Sequence, residues 1–103
     1  MYEKLVRDNI PDIIRKNGEE PIIEILDNER YKEELEKKLQ EECMEVINAK
    51  GNDRIEELAD LLEVMYSLVE LEDKTIEYVE KVRIEKKLKR GGFSNKIYLK
   101  GVK

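Results

Sequence analysis

The segment from Ile55 to Leu71 is apolar nearly all the way round a helix, and this limits the fold more than any other feature of the chain. At ~100° per residue, Ile55, Leu58, Ala59, Leu62, Met65, Tyr66 and Val69 form one face. Leu61, Val64, Leu68 and Leu71 form a second face. Only Glu56, Glu63 and Glu70, spaced by sevens, make an ordinary solvated ridge. A helix with two apolar faces must be covered on both, so it is expected at the centre of the molecule.

Punctuation places the other elements. Pro11 suits the first turn of a short helix that ends at Asn17-Gly18, where glycine supplies a left-handed cap. A long helix is expected from Asn28 to Lys50, stopping at Gly51. A second runs from Asp53, as N-cap with Glu56 three residues on, to Glu72. The third begins near Asp73 or Thr75 and stops at Gly91-Gly92. Pro21–Leu26 and Lys96–Lys100 are short and β-branched or aromatic, and read as strands that pair with each other. The expected fold is therefore all-α: a helical bundle of three long helices plus a short N-terminal helix, with a minor two-stranded β element. At 103 residues this reads as one domain spanning 1–103. So small a core favours a homo-oligomer, dimer or tetramer, that shares core between chains.

Composition narrows the chemistry. Without a single histidine, His-metal sites, Ser-His-Asp triads and Cys-His dyads are excluded. The lone Cys43 has no internal disulfide partner, and it reads as a small buried hydrophobe in a protein of the reducing cytoplasm. No apolar run approaches the ~20 residues of a membrane span, and Met1–Leu5 lacks the apolar region of a signal peptide. The net charge of −5 hides a division: residues 1–80 carry 11 basic and 24 acidic side chains, −13, while residues 81–103 carry 9 basic ones against Glu85, +8. An acidic body suits divalent cations and a basic end suits phosphate, although a solvated surface with a basic tail has the same composition.

Helical wheels single out four carboxylates. Glu42 falls inside the stripe formed by Tyr31, Leu35, Leu39 and Val46, and Glu45 lies on its edge. Glu57 and Asp60 flank Val64 on the second apolar face of the central helix. Each pair is spaced i, i+3 and shares a helix face. The short link around Ala49–Asn52 makes the two helices antiparallel neighbours, so the pairs can meet as one cluster. Buried carboxylates are costly unless paired or bound to metal. Oxygen ligands alone suit Mg²⁺, with Mn²⁺ as a substitute, rather than zinc. Glutamate is so frequent, 19 of 103 residues, that the spelling Glu-Glu-x-x-Glu alone decides nothing. The inward placement carries the reading, and a bundle with ordinary surface acids is the plain alternative.

Glu41-Glu42-Cys43-Met44-Glu45, followed by Glu57-Leu58-Ala59-Asp60, resembles the signature of the MazG-like all-α NTP pyrophosphatases. That group includes phosphoribosyl-ATP pyrophosphohydrolase and the dimeric dUTPases. The flanks resemble a small single-domain branch that opens like Lys4-Leu5-Val6-Arg7-Asp8-Asn9-Ile10-Pro11 and closes like Arg90-Gly91-Gly92-Phe93. The resemblance runs from Lys4 to about Tyr98. It implies a helical fold, Mg²⁺ dependence, oligomerisation and release of pyrophosphate from a nucleotide, in some members as house-cleaning of non-standard nucleotides. It makes Glu42, Glu45, Glu57 and Asp60 the metal ligands and Glu41 a helper, with Glu41 or Glu42 the candidate proton acceptor for the attacking water. It also places Lys4 and Arg7 at the substrate. Eleven residues separate Glu45 from Glu57, a short gap that requires a tight loop.

The glycine pair has its own reading. Gly91 and Gly92 allow backbone amides to approach an anion, Lys87 and Arg90 can neutralise phosphates, and Phe93 can pack on a base or on the core. A plain glycine C-cap with basic residues on the helix dipole is compatible with the same residues. The rival functional class is a non-enzymatic helical interaction module with a basic C-terminal end. Nucleic acid is not the expected partner, because only Phe93 and Tyr98 accompany the basic run as stacking groups.

Overall fold

The structure, a computed structural model describing residues 3–103, contains four helices and, among the described residues, no strand. Helix α1 spans Ile10–Lys16, with Pro11 in its first turn, and the chain turns at Gly18 with φ +87°. Helix α2 spans Asn28–Asn48; the Asp27 carboxylate accepts a hydrogen bond from the Arg30 amide at 2.8 Å and closes its N-terminus. Helix α3 spans Gly51–Leu71 and helix α4 spans Ile76–Arg90. The Thr75 hydroxyl caps α4 by accepting from the Tyr78 amide at 3.1 Å. Gly91, at φ +84°, ends α4 and returns its N–H to the Lys87 carbonyl.

Two helix boundaries differ from the sequence expectation. The second long helix begins at Gly51, not behind an Asp53 cap, and α2 stops at Asn48. The cause is Arg54, whose Nε donates to the carbonyls of Val46 and Ala49 at 3.1 and 3.0 Å. It satisfies the orphan carbonyls of α2 from the first turn of α3, so the link shrinks to Ala49 and Lys50. Such a link forces α2 and α3 into an antiparallel hairpin. Asn28 and Lys32 accordingly sit beside Leu68, Leu71 and Glu72 at the far end.

This hairpin contains the packed interior. Leu35 of α2 is 3% exposed and Val64 of α3 is 7% exposed, and both belong to the interface between the two helices. Leu61, Leu68 and Leu71 of α3 are half-buried on the same side. The other face of α3 is open: Ile55, Leu58, Leu62, Met65 and Tyr66 are all exposed. Helix α4 touches α3 only lightly. The accessible surface is 9885 Å², whereas a compact monomer of 12.2 kDa exposes about 6,100 Å². The radius of gyration, 18.0 Å, likewise exceeds the ~13 Å of a compact chain of this length.

The expected β element does not form within the chain. Segments 22–26 and 96–100 take no regular structure and make no backbone hydrogen bonds to each other, and Lys96 sits in the left-handed region at φ +61°. A lone two-stranded pair is marginal in water, and here each segment also points its apolar side chains at solvent. Among the described residues, no helix is long and apolar enough to cross a membrane.

Candidate metal centre

The hairpin brings three of the four singled-out carboxylates together. One oxygen each from Glu42, Glu57 and Asp60 lies within 4.8 Å of the others. Glu42 projects from α2 into the packed stripe and is 8% exposed, the only charged side chain so buried among the described residues. Glu57 and Asp60, one turn apart on α3, are half-buried opposite it. The tight link and the antiparallel packing set this convergence, since Glu42 precedes the link by about two turns and Glu57 follows it by about two.

Glu45 stands outside that triad. It is exposed, because one turn beyond Glu42 the helix has rotated toward the solvent edge of the stripe. It still acts on the site through space, raising the Glu57 pKa. Burial is the largest cause that lifts the Glu57 carboxyl above its ordinary 4.5, followed by Glu45, Asp60, Asp53 and Glu56. Glu42 is also raised, first by burial, then by Asp60, Glu41 and Glu57, with Lys38 opposing. Among the described residues Glu42 makes no hydrogen bond, and its cationic neighbour is the Lys38 ammonium at 3.8 Å. Lys38 divides itself between Glu42 and Glu41, whose carboxylate lies 3.5 Å away. A single shared lysine therefore faces a cluster of four acids.

A second cation reaches the cluster from the N-terminal segment. Arg7 donates from Nη2 to Oδ1 of Asp60 at 2.7 Å, across 53 positions of sequence. This contact ties the segment before α1 to the α2–α3 hairpin. Lys4 is exposed and forms no ion pair among the described residues.

The basic end behaves differently. Lys87, Arg90, Gly91, Gly92 and Phe93 are all exposed, and no hydrogen bond or ion pair among the described residues ties them to the acidic triad. Phe93 packs on nothing, with 98% of its surface open, because Gly91 turns the chain away from the helix with no element behind it. Its packing on the protein's own core, one of two expectations, is thus corrected. The glycine C-cap is present at Gly91. Cys43 is half-buried and unpaired.

Sequence reasoning missed Lys38 and Arg54. Lys38 was legible as the i−4 neighbour of Glu42, the spacing at which opposite charges meet on a helix. Nothing in the spelling marked Arg54, whose role depends on how tightly the hairpin closes.

Comparison with known proteins gives little to set beside this geometry. No family model matches the chain, and no solved structure matches it. A curated protein of Mycolicibacterium smegmatis, named only as an uncharacterized protein, is 42% identical over 50 residues. The match covers 48% of this chain and 51% of that relative, so the chain spans about half the length of the protein it matches.

Proposed function

We propose that the chain is a Mg²⁺-dependent nucleoside triphosphate pyrophosphohydrolase, releasing a nucleoside monophosphate and pyrophosphate. The observation that carries this reading is the convergence of Glu42, Glu57 and Asp60, in which Glu42 is 8% exposed and has Lys38 at 3.8 Å as its cationic neighbour. A charge so placed is costly without a cation, and the cationic side chain nearest to it is shared with Glu41. The donor set fits the ion, because three carboxylate oxygens without histidine or thiolate suit Mg²⁺ or Mn²⁺. The resemblance of Glu41–Glu45, Glu57–Asp60, Lys4–Pro11 and Arg90–Phe93 to the MazG-like pyrophosphatases supplies the reaction class.

Glu42, Glu57 and Asp60 hold the ion, with Glu45 at the rim. Bound Mg²⁺ supplies a lowered pKa for water and charge neutralisation on phosphate oxygens. Glu41 lies at the edge of the cluster and accepts the proton of the attacking water, with Glu42 the alternative. Arg7, resting on Asp60, moves to a substrate phosphate, and Lys4 follows from the same segment. Lys87 and Arg90 offset charge on the departing pyrophosphate, the main protein contribution in phosphoryl transfer. The Gly91 amide is committed to the Lys87 carbonyl, which leaves the amide of Gly92 and the face of Phe93 to receive phosphate and base. The substrate class remains phosphoribosyl-ATP, a non-standard nucleotide or an ordinary dNTP, and the chain acts as an oligomer in the cytoplasm.

Hydrolysis in ¹⁸O-labelled water tests the reaction. Label is expected in the monophosphate and not in pyrophosphate; a diphosphate plus orthophosphate would mean attack at the γ-position and end the proposal. The open face of α3 also suits the interaction-module reading, and thermal unfolding separates the two. Mg²⁺ at 100 times its Kd adds about 2.7 kcal/mol to a protein with a specific site, whereas a plain bundle gains nothing comparable.

A further inference from the structure

Arg7 ties an otherwise lightly held part of the chain to the acidic cluster. Helix α1 packs against no other helix among the described residues. Of the residues from 3 to 9 that precede it, Leu5 is half-buried and the others are exposed. The structure of this arm is local: the Ile10 amide donates to the Arg7 carbonyl at 3.0 Å, and Arg15 donates to Asp12 at 2.9 Å. Among the described residues, the side-chain hydrogen bond that joins residues 3–16 to the α2–α3 hairpin is the one from Arg7 to Asp60, at 2.7 Å. With so little buried surface, the place of the arm on the hairpin depends on that bond.

The same carboxylate belongs to the candidate metal centre, where Asp60 meets Glu42 and Glu57. A divalent cation ligated by Asp60 draws on the negative charge that holds Arg7, and it sets like charges side by side. The pair is open to water, with the Arg7 side chain 57% and the Asp60 side chain 46% exposed, so the guanidinium exchanges its carboxylate for solvent at little cost. Lys38, the other cation at the cluster, carries no such signal. It stands on α2 within about one turn of Glu41 and Glu42, and its movement displaces no other element. Arg7 reaches Asp60 across 53 positions, so its departure loosens an entire arm. Linkage makes the competition reciprocal: the factor by which Arg7 weakens the ion equals the factor by which the ion loosens Arg7.

We propose that Arg7 is an ion-sensitive latch: a divalent cation at Glu42, Glu57 and Asp60 displaces it from Asp60 and unlocks residues 3–16 from the hairpin. The inference rests on the metal reading given above and adds a regulatory step to it. Its test measures no activity. Free Mn²⁺ is followed by electron paramagnetic resonance while the full chain, Arg7→Met and Lys4→Met are titrated. Arg7→Met should bind Mn²⁺ about two- to fivefold more tightly than the parent, the range that exposed ion pairs span. Lys4→Met removes the same charge from the same arm, and Lys4 forms no ion pair among the described residues, so its gain should be clearly smaller. Weaker binding by Arg7→Met would make Arg7 a support for Asp60 and overturn the latch, as would equal gains in both variants. Hydrogen exchange on the parent needs no substitution: residues 3–16 should exchange faster in Mn²⁺ than in EDTA, while the hairpin does not. Exchange of the arm that is unchanged or slowed by Mn²⁺ overturns the proposal. Two failures are distinguishable. No saturable binding by the parent removes the metal reading and the latch with it, whereas saturable binding that Asp60→Asn weakens and Arg7→Met leaves untouched removes the latch alone.

Discussion

The two faces of α3 have similar residues and opposite surroundings. Toward α2, Val64 is buried and Leu61, Leu68 and Leu71 are half-covered, while Ile55, Leu58, Leu62, Met65 and Tyr66 on the other side meet solvent. Composition alone does not separate them, because the open face is the more apolar of the two. The difference lies in connection. The two-residue link at Ala49–Lys50 holds α2 against one face, whereas α4, after its turn, leaves the other largely bare. The acidic triad sits on the covered side, where burial raises the carboxyl pKa values. Hydrophobicity thus set the demand for cover, and loop length decided which face one chain could cover itself.

The sharpest way to break this comparison is to change one side chain on each face. Leu35→Ala removes the most buried apolar group and should cost about 2–5 kcal/mol of stability, read from urea unfolding. Leu62→Asp, on the open face, should leave the midpoint of a dilute monomer nearly unchanged. It should also abolish any rise of Tm with protein concentration, since only an assembled form covers that residue. Equal losses at both sites, independent of concentration, would mean that both faces are covered within one chain.

Carboxylates on and off the covered side should differ almost as much. Glu42→Gln, Glu57→Gln or Asp60→Asn should lower pyrophosphate release at least about 100-fold, and combining two should cost little more, because the three act as one unit. In metal-free buffer these variants should be as stable as the parent or more so, since like charges are removed. Glu63→Gln, on the exposed ridge of the same helix, is the control and should be nearly silent. A loss at Glu63 equal to that at Glu57 would refute the placement of the site on the covered face.

The all-helical fold and three carboxylates of the candidate site were legible in the sequence, because both depend on a 3.6-residue repeat within single helices. The helical wheel alone puts Glu42 inside an apolar stripe, and the folded chain buries it there. What escaped depends on relations between elements. Arg54 closes the end of α2 only because the hairpin is so tight, and that tightness moved the start of α3 to Gly51. The contact of Arg7 with Asp60 spans 53 positions, which no local pattern encodes; only the family resemblance drew attention to Arg7. The pairing of 22–26 with 96–100, expected from two strand-like spellings, does not form in the folded chain, because strand-like composition alone does not supply a partner.

A smaller effect follows from the raised carboxyl groups on the covered side. Glu42 ionises less readily in the folded chain than at its ordinary 4.5, so the folded state holds the extra proton. Stability then falls as pH rises from 4.5 through the raised value, and the penalty is complete above it. Glu42→Gln lacks this penalty at every pH. In EDTA its advantage over the parent should therefore be largest near neutral pH and should shrink as pH falls toward 4.5, read as the difference in Tm. An advantage that grows on acidification would mean that Lys38, not burial, dominates the Glu42 carboxyl.

The smallest effect belongs to the end of α4, where no side chain is covered by anything. Arg90 is exposed and forms no ion pair among the described residues, so Arg90→Ala should change stability by no more than about 0.5 kcal/mol, as surface substitutions do. Its loss also removes a cation from the negative end of the helix dipole, worth about 0.3–1 kcal/mol at low salt and less under screening. Gly91→Ala provides the structural contrast, because φ is +84° there and a side chain is strained whatever space surrounds it. That change should cost about 1 kcal/mol or slightly more. If Arg90 holds phosphate, Arg90→Ala raises the KM for a triphosphate several-fold with stability intact, while Gly91→Ala loses stability first. If Arg90→Ala lowers Tm as much as Gly91→Ala and leaves KM alone, the arginine serves the helix end and the phosphate role assigned to it fails.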